Sequence, residues 1–325
     1  DLSLHEMPVT SLRSVAAGGP LIIVMNAGAG HSDAEVSRET LGRVFQEARR
    51  EHEFILLKEG TSLTEATQRA IALARARGGV VVAAGGDGTI NGVAQGVLGS
   101  GCLFGVLPQG TFNYFGRAHG IPQEDEAAAR ALLGAAVQEV QVGLVNDRIF
   151  LVNGSLGLYP ELLEEREAMK SQLGRSRAVA MLAGFRTLLR KQIPQRLTLE
   201  CDGLTRTVLT PTLFIGNNAL QLERLGFAEA AALKRGQLAA VVVRRGGLFS
   251  MLTLILRSIV GRLGEAEKVD AFAFHRLTVS SGHKRQFKVA TDGETCWLKA
   301  PLVFQVAPEP LLLLVPRPEH QAEIV

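Results

Sequence analysis

The sequence predicts two regions: an α/β N-terminal domain built on a parallel sheet, and a C-terminal β-sandwich domain. Three observations predict it. Between residues 20 and 139, short apolar runs alternate four times with stretches of helical period, the grammar of strand–helix repeats around a parallel sheet. From Val137 onward the period shortens to two, and strands recur with short turns between them, as in a sandwich. The apolar run Val80 to Ala84 ends in Gly85-Gly86-Asp87-Gly88-Thr89, a glycine-rich loop where a buried strand passes to a helix. A chain of 325 residues is long for one domain and comfortable for two.

Residues 1–19 show no clear period and end in Gly18-Gly19, so they read as a leader. Leu21 to Met25 is the first buried strand, and it runs into the loop Asn26-Ala27-Gly28-Ala29-Gly30. Ser32-Asp33 can cap the next helix, whose apolar positions are Val36, Leu41, Val44, Phe45 and Ala48. Phe54 to Leu57 is the second strand. Ser62 and Glu65 then form a capping-box pattern before Leu63, Ala66, Ala70, Ile71 and Ala74 on one face. After the third strand and its loop, a helix is expected from Ile90 or Asn91 to Leu98. Gly92 and Gly96 lie inside it, each costing roughly 1 kcal/mol against Ala, an expense that close packing on the sheet would explain. Cys102 to Leu107 is the fourth strand, and Asp125 to Ala136 a closing helix.

In the second region, residues 140–325, a hairpin is expected over Val140 to Val152 with a turn at Asn146-Asp147. Further strands are expected at 196–200, 205–212, 213–216, 238–243, 277–280, 284–290 and 311–315. The last of them is a candidate to return to the first domain. Two basic amphipathic stretches, 161–191 and 248–263, interrupt the strands. Each reads either as a solvated helix face or as a segment lying on an anionic membrane surface.

Composition excludes several classes. Hydrophobic residues are 46% and charged residues 21%, as in ordinary globular proteins. No apolar run approaches the ~18 residues of a membrane span. Cys102, Cys201 and Cys296 form no metal or redox spacing, which points to a reduced cytosolic setting. A net charge of +3 is too small to argue for nucleic acid. Exposed sandwich edges could pair in a homodimer, but nothing selects an edge.

The glycine loop carries the chemistry. Gly85 and Gly86 let backbone turn sharply and approach a ligand. Asp87 sits where a strand ends, the usual address of ligands in open α/β sheets. Gly88 frees the next backbone, Thr89 offers a hydroxyl, and a helix N-terminus points back at the loop. Backbone N–H groups, a helix start and one acid suit a phosphate chain with Mg2+. The plainer reading is a strand–turn–helix connection.

Gly85-Gly86-Asp87-Gly88-Thr89 matches the signature of a superfamily that joins diacylglycerol kinases, sphingosine kinases, NAD kinases and phosphofructokinases. The stretch Gly105 to Arg117, with Pro108, Gly110, Thr111, Asn113, Phe115 and Arg117, resembles the P-x-G-T-x-N-x-F-A-R segment of the diacylglycerol kinase catalytic domain. Asp292-Gly293-Glu294 matches that family's late D-G-E motif. The resemblance extends from about Leu21 to about Pro316, and it implies an NAD kinase/phosphofructokinase-like first domain. It also implies an ATP- and Mg2+-dependent kinase for a lipid hydroxyl, with diacylglycerol as the default substrate, met at a membrane surface. ATP would contact Asn26, Thr61, Gly85, Gly86, Asp87, Gly88, Thr89, Gly110, Thr111 and Asn113 in a cleft between the domains. Asp292 would be the general base, with Asp87 and Glu294 serving the metal.

Departures from the family pattern are visible. Ala27 replaces a proline, and no Lys or Arg follows until Arg38. Tyr114 and Gln141 stand where relatives often have Asp, and Gly92 where they often have Glu. Lys234-Arg235-Gly236 replaces an acidic segment that holds a structural magnesium in some relatives, so that metal is expected to be absent. Asn153 to Pro160 and Gly216-Asn217-Asn218 resemble family segments that shape the cleft. Two alternatives stay open: an NAD kinase, which shares the first signature but does not require the Gly110 to Arg117 segment, and an inert nucleotide- or lipid-binding protein. A dehydrogenase fits poorly, because Gly28-Ala29-Gly30 lacks the full G-x-G-x-x-G pattern.

Overall fold

A computed structural model describes residues 19–26, 31–58, 60–157, 194–244 and 269–317. The expectations for the leader, for the loop 27–30 and for the basic stretches 161–191 and 248–263 lie outside the described residues. The chain divides into two compact units. One comprises Asp1–Gln141 with Pro308–Val325, and the other Val142–Ala307.

The first unit is a six-stranded sheet between helices. Its strands are β1 (Leu21–Asn26), β2 (His52–Leu57), β3 (Val80–Gly85), β4 (Leu103–Pro108), β5 (Ala136–Val140) and β18 (Leu311–Val315), in the order β2-β1-β3-β4-β18-β5. Five strands run parallel, and β5 pairs antiparallel with β18. The sheet is therefore mixed rather than purely parallel. The slot beside β4 is filled by chain returning from the second unit, which pushes β5 to the edge. Val140 belongs to this edge strand and not to a hairpin.

Helices α1 (His31–Glu47), α2 (Leu63–Arg77), α3 (Asp87–Val97), α4 (Tyr114–Ala118) and α5 (Asp125–Leu133) connect these strands. Leu41, Val44 and Phe45 of α1 and Ala128, Ala129 and Leu132 of α5 join Leu21, Ile23, Val80, Val82 and Leu107 in one core. Strands β1 and β3 are buried along almost their whole length, which is why they are continuous apolar runs rather than alternating ones. Three boundaries differ from expectation. α3 begins at Asp87, so Asp87, Gly88 and Thr89 form its first turn, and α1 begins at His31, ahead of Ser32-Asp33. α5 stops at Leu133, and Ala136 starts β5. The glycines inside α3 face α2 rather than the sheet. A Cβ on Gly92 would meet Leu63 Cδ2 at 2.2 Å, and one on Gly96 would meet Thr67 Cγ2 at 2.7 Å.

The second unit contains two six-stranded antiparallel sheets. One runs β10 (Leu204–Thr210), β9 (Gln195–Cys201), β14 (Arg276–Ser280), β17 (Leu302–Val306), β6 (Gly143–Val145) and β7 (Arg148–Phe150). The other runs β13 (Val269–Phe274), β12 (Leu238–Val243), β11 (Thr212–Gly216), β8 (Asn153–Gly157), β15 (Gln286–Thr291) and β16 (Glu294–Lys299). Leu197, Leu199, Leu277, Leu302 and Phe304 of the first sheet share a core with Leu156, Leu213, Ile215, Ala240, Phe274 and Val289 of the second. Helices α6 (Ala219–Arg224) and α7 (Ala230–Leu233) lie with Leu222, Phe227 and Ala230 over Ala239 and Val241 of β12. Strand β8, where the sequence predicts no strand, is a central strand. Lys234 and Arg235, just beyond α7, are exposed, so neither places its charge inside the unit.

Candidate active site

In the first sheet β2 and β3 lie on opposite sides of β1. Ligands of open α/β sheets bind at such a switch point, outside the carboxyl ends of the strands. Every candidate of the first unit lies at that end of the sheet. Asn26 ends β1, Thr61 follows β2, Gly85 to Thr89 follow β3, and Gly110 to Asn113 follow β4. Asn26 Nδ2 donates to Thr89 Oγ1 at 3.4 Å, which joins the loops of β1 and β3.

The loops after β3 and β4 are fitted to each other. The Gln109 N–H donates to the Gly85 carbonyl at 2.8 Å, and a Cβ on Gly110 would meet Gly86 Cα at 2.8 Å. Asn113, at φ +49°, closes the second loop with its side chain. Its Oδ1 accepts from the Gly110 N–H at 2.8 Å, and its Nδ2 donates to the Gly110 carbonyl at 2.9 Å. Left-handed backbone of this kind is tolerated by Asn better than by most residues. Gly110→Ala is expected to force the two loops apart and to destabilise the unit by about 1–3 kcal/mol. Denaturant unfolding, together with ATP affinity, measures both effects.

Asp87 links the loops a third time. Its carboxylate accepts from the Tyr114 N–H at 3.3 Å and the Phe115 N–H at 3.5 Å, the first residues of α4. Burial pushes the Asp87 carboxyl above its usual range, against the opposing pull of the Phe115, Tyr114 and Asn113 backbone bonds. The sequence names Asp87 as a metal acid; the fold adds that it caps the helix of the second loop. Phe112 is half exposed and stacks on Tyr114, centroids 5.8 Å apart. Thr61 and Thr111 are exposed.

His119 follows α4, edge-on to Phe115 at 4.8 Å. Burial pushes its imidazole down to about 4. The unfolded chain takes up a proton near 6.5 that the folded ring refuses until about 4. The stability of the neutral ring is therefore complete above the free histidine value and is lost as pH falls through the folded one, by up to about 3 kcal/mol. Unfolding followed against pH should show this acid limb, and His119→Gln should remove it.

In the second unit, Asp292 opens the turn between β15 and β16 at φ +50°. Its carboxylate is buried. Oδ2 accepts from the Leu151 N–H at 2.7 Å, and Oδ1 from the N–H groups of Val152 at 2.8 Å and Asn153 at 3.0 Å. Its own N–H donates to the Asn153 carbonyl at 2.9 Å. Three charge-assisted bonds compensate a charge that burial would otherwise penalise. Glu294, two residues on, is exposed at the start of β16.

Sequence reasoning missed the bed on which Asp292 rests. Asn217 holds residues 151 and 152: its N–H donates to the Val152 carbonyl at 2.8 Å and its Nδ2 to the Leu151 carbonyl at 3.1 Å. Asn153 Nδ2 donates to Gln221 Oε1 at 3.2 Å, and Asn218 caps α6 through the Gln221 N–H. The segments beginning at Asn153 and Gly216 were the available signal, since both resemble family motifs.

The donor set suits a metal carried by the nucleotide rather than a protein cage. Among the described residues no three His, Cys, Asp or Glu side chains gather as a metal site. Mg2+ is commonly held by one or two carboxylates plus substrate phosphates and waters, and Asp87 beside two glycine loops offers that.

Residues 20–145 match the family model described as the diacylglycerol kinase catalytic domain. The chain is 26% identical over 273 residues to a diacylglycerol kinase of Bacillus subtilis, covering 81% of this chain and 86% of that one. Against a diacylglycerol kinase of Staphylococcus saprophyticus it is 26% identical over 219 residues, 66% of this chain and 70% of the relative. A solved structure of a diacylglycerol kinase from Bacillus anthracis superposes with a TM-score of 0.67 at 20% identity, covering 93% of this chain and 98% of that one. That likeness bears on the fold.

Proposed function

The chain carries a diacylglycerol kinase catalytic domain over residues 20–145, and we propose that it transfers the γ-phosphate of ATP to the hydroxyl of diacylglycerol. The lipid-kinase activity comes with the domain; the substrate is carried over from the relatives' names. The observation that supports the reading best is the closed pair of glycine loops, held by Gly86 against Gly110 and by Asp87 on the start of α4. We assign 20–139 to the nucleotide, in an NAD kinase/phosphofructokinase-like arrangement, and the sandwich to the lipid. Protein lying at the inner face of a membrane would meet such an acceptor.

Phosphoryl transfer needs positioning, compensation of phosphate charge and a group to take the acceptor proton. Backbone N–H groups of Gly85, Gly86 and Gly88 and the hydroxyls of Thr89 and Thr111 would hold the phosphates, while Gly110, whose N–H bonds Asn113, would let the second loop approach closely. Asn26, Thr61 and Asn113 would complete the nucleotide site. Mg2+, when bound, would neutralise phosphate charge; Asp87 is the acid that would hold it, and Glu294 is assigned to it from the D-G-E resemblance alone. The acceptor oxygen attacks the γ-phosphorus, the bond to the β-phosphate oxygen breaks, ADP leaves, and the hydroxyl proton passes to Asp292.

One observation supports an exchange of roles. The Asp292 carboxylate already receives three backbone N–H bonds, whereas burial raises the proton affinity of Asp87. Under that reading Asp87 takes the proton and Asp292 fixes the backbone of Leu151, Val152 and Asn153.

Labelled γ-phosphate from Mg-ATP, offered to mixed micelles of diacylglycerol, phosphatidylglycerol and a sphingoid base with NAD in solution, tests the proposal. Label in phosphatidic acid is expected. Label in NAD would transfer the chain to the NAD kinase alternative, and nucleotide binding without any transfer would favour an inert binding protein.

A further inference from the structure

The outer face of the β15–β16 ribbon is basic and aromatic, and the chemistry above leaves it unused. Gln286 lies opposite Lys299 and Lys288 opposite Trp297, so the four side chains share one face of the ribbon. Phe287 and Val289, at the alternate positions, are buried in the core. Trp297 is 64% exposed, and Lys288 Nζ lies 5.7 Å from its ring centroid. Beside Lys299 an open groove of about 960 Å³ is also lined by Lys284 and Arg285, with Glu200 as its one carboxylate. Among the described residues no ion pair engages Lys284, Arg285 or Lys299; Lys284 donates instead to Gln195 Oε1 at 3.0 Å.

Lysines alone on an edge strand would read as protection against unwanted pairing. Trp297 does not fit that reading, because a large exposed ring on an edge invites association. A tryptophan among cations suits the boundary of a bilayer, where the ring sits at headgroup level and cations meet anionic phosphates. We infer that this strip docks the protein on an anionic phospholipid surface, an inference that rests on the lipid-kinase reading for its choice of occupant. Trp297 would enter the headgroup layer, while Lys284, Arg285 and Lys299 face its phosphates.

Trp297 is the only tryptophan of the chain, so its fluorescence reports this ring alone. With vesicles of phosphatidylglycerol and phosphatidylcholine in equal parts, the full chain should show a blue shift and quenching by brominated lipid. Phosphatidylcholine alone should leave the emission unchanged. The triple variant Lys284→Gln, Arg285→Gln, Lys299→Gln should bind the anionic vesicles roughly a hundred-fold more weakly, at about five-fold per cation. Three outcomes would overturn the inference: bound vesicles with silent Trp297 emission, a shift that follows protein concentration instead of lipid, or a stronger response to polyglutamate than to vesicles.

Transfer to a short-chain, water-soluble diacylglycerol, measured without vesicles, separates this inference from its premise. Transfer with a silent tryptophan sinks the docking surface and keeps the kinase. A responding tryptophan without transfer keeps the surface and sinks the kinase reading.

Discussion

Asp292→Asn should lower phosphoryl transfer by about 10²–10⁴-fold while ATP still binds. Asparagine is the informative replacement because it accepts the left-handed backbone at φ +50° and changes the volume little. It cannot reproduce the bonding. Where the carboxylate takes Leu151 on one oxygen and Val152 with Asn153 on the other, the amide must turn its NH2 toward one set of donors. Leaving such a donor unpaired inside the sandwich costs about 1–3 kcal/mol, so a lower unfolding midpoint is expected as well. The two effects separate in measurement. A loss of turnover that persists well below the variant's melting temperature belongs to proton transfer. A variant that keeps near-normal turnover when folded would give Asp292 a purely structural role and leave the proton to Asp87.

Asp87→Asn should reduce transfer by on the order of a hundred-fold or more, the scale seen when one charge-stabilising group is removed from a reaction centre. It should also weaken the dependence on Mg2+. The bonds to Tyr114 and Phe115 are long, at 3.3 and 3.5 Å, so the packing of α4 should suffer less than catalysis. The pH behaviour is distinctive. Burial raises the Asp87 carboxyl above its free value, so the stability tied to its neutral form is complete below that free value and is lost as pH rises through the folded one. The wild-type protein should lose stability across that window, and Asp87→Asn should not. If Asp87 is the base, the acid limb of kcat/KM should also vanish in the variant; if it serves the metal alone, the limb should remain.

The parts that were legible in the sequence share a physical cause. Leu21–Met25 and Val80–Ala84 are covered on both faces, so their composition announces buried strands whatever surrounds them. Gly85-Gly86 and Gly110 stand out because close backbone approach demands glycine, and the contact of Gly86 with Gly110 is such an approach. The capping role of Ser62 needs only its neighbours, and its hydroxyl does accept from the Glu65 N–H at 3.3 Å.

What was not legible depends on distant chain. Strand β8 begins Asn153-Gly154-Ser155, a turn signature by local chemistry, and becomes a strand because β11 and β15 flank it. Strand β5 takes its direction from β18, about 170 residues later in the chain. Strand β16, Glu-Thr-Cys-Trp-Leu-Lys, has no clean alternation, lies at a sheet edge and mixes its signal with the turn before it. The N–H groups that receive Asp292 come from residues roughly 140 positions away. They carry no side-chain signature, since any residue supplies a backbone donor. The acid can be named from a motif, but its partners emerge only from the fold.

The central claim is that the loops after β3 and β4 form one nucleotide site. Amide hydrogen exchange with and without Mg-ATP tests it most directly. Slowed exchange at Gly85 to Thr89 and at Gly110 to Phe115 together, to the same extent and at the same ATP concentration, is the expected result. Protection of one loop without the other, or of neither while ATP is bound, would contradict it.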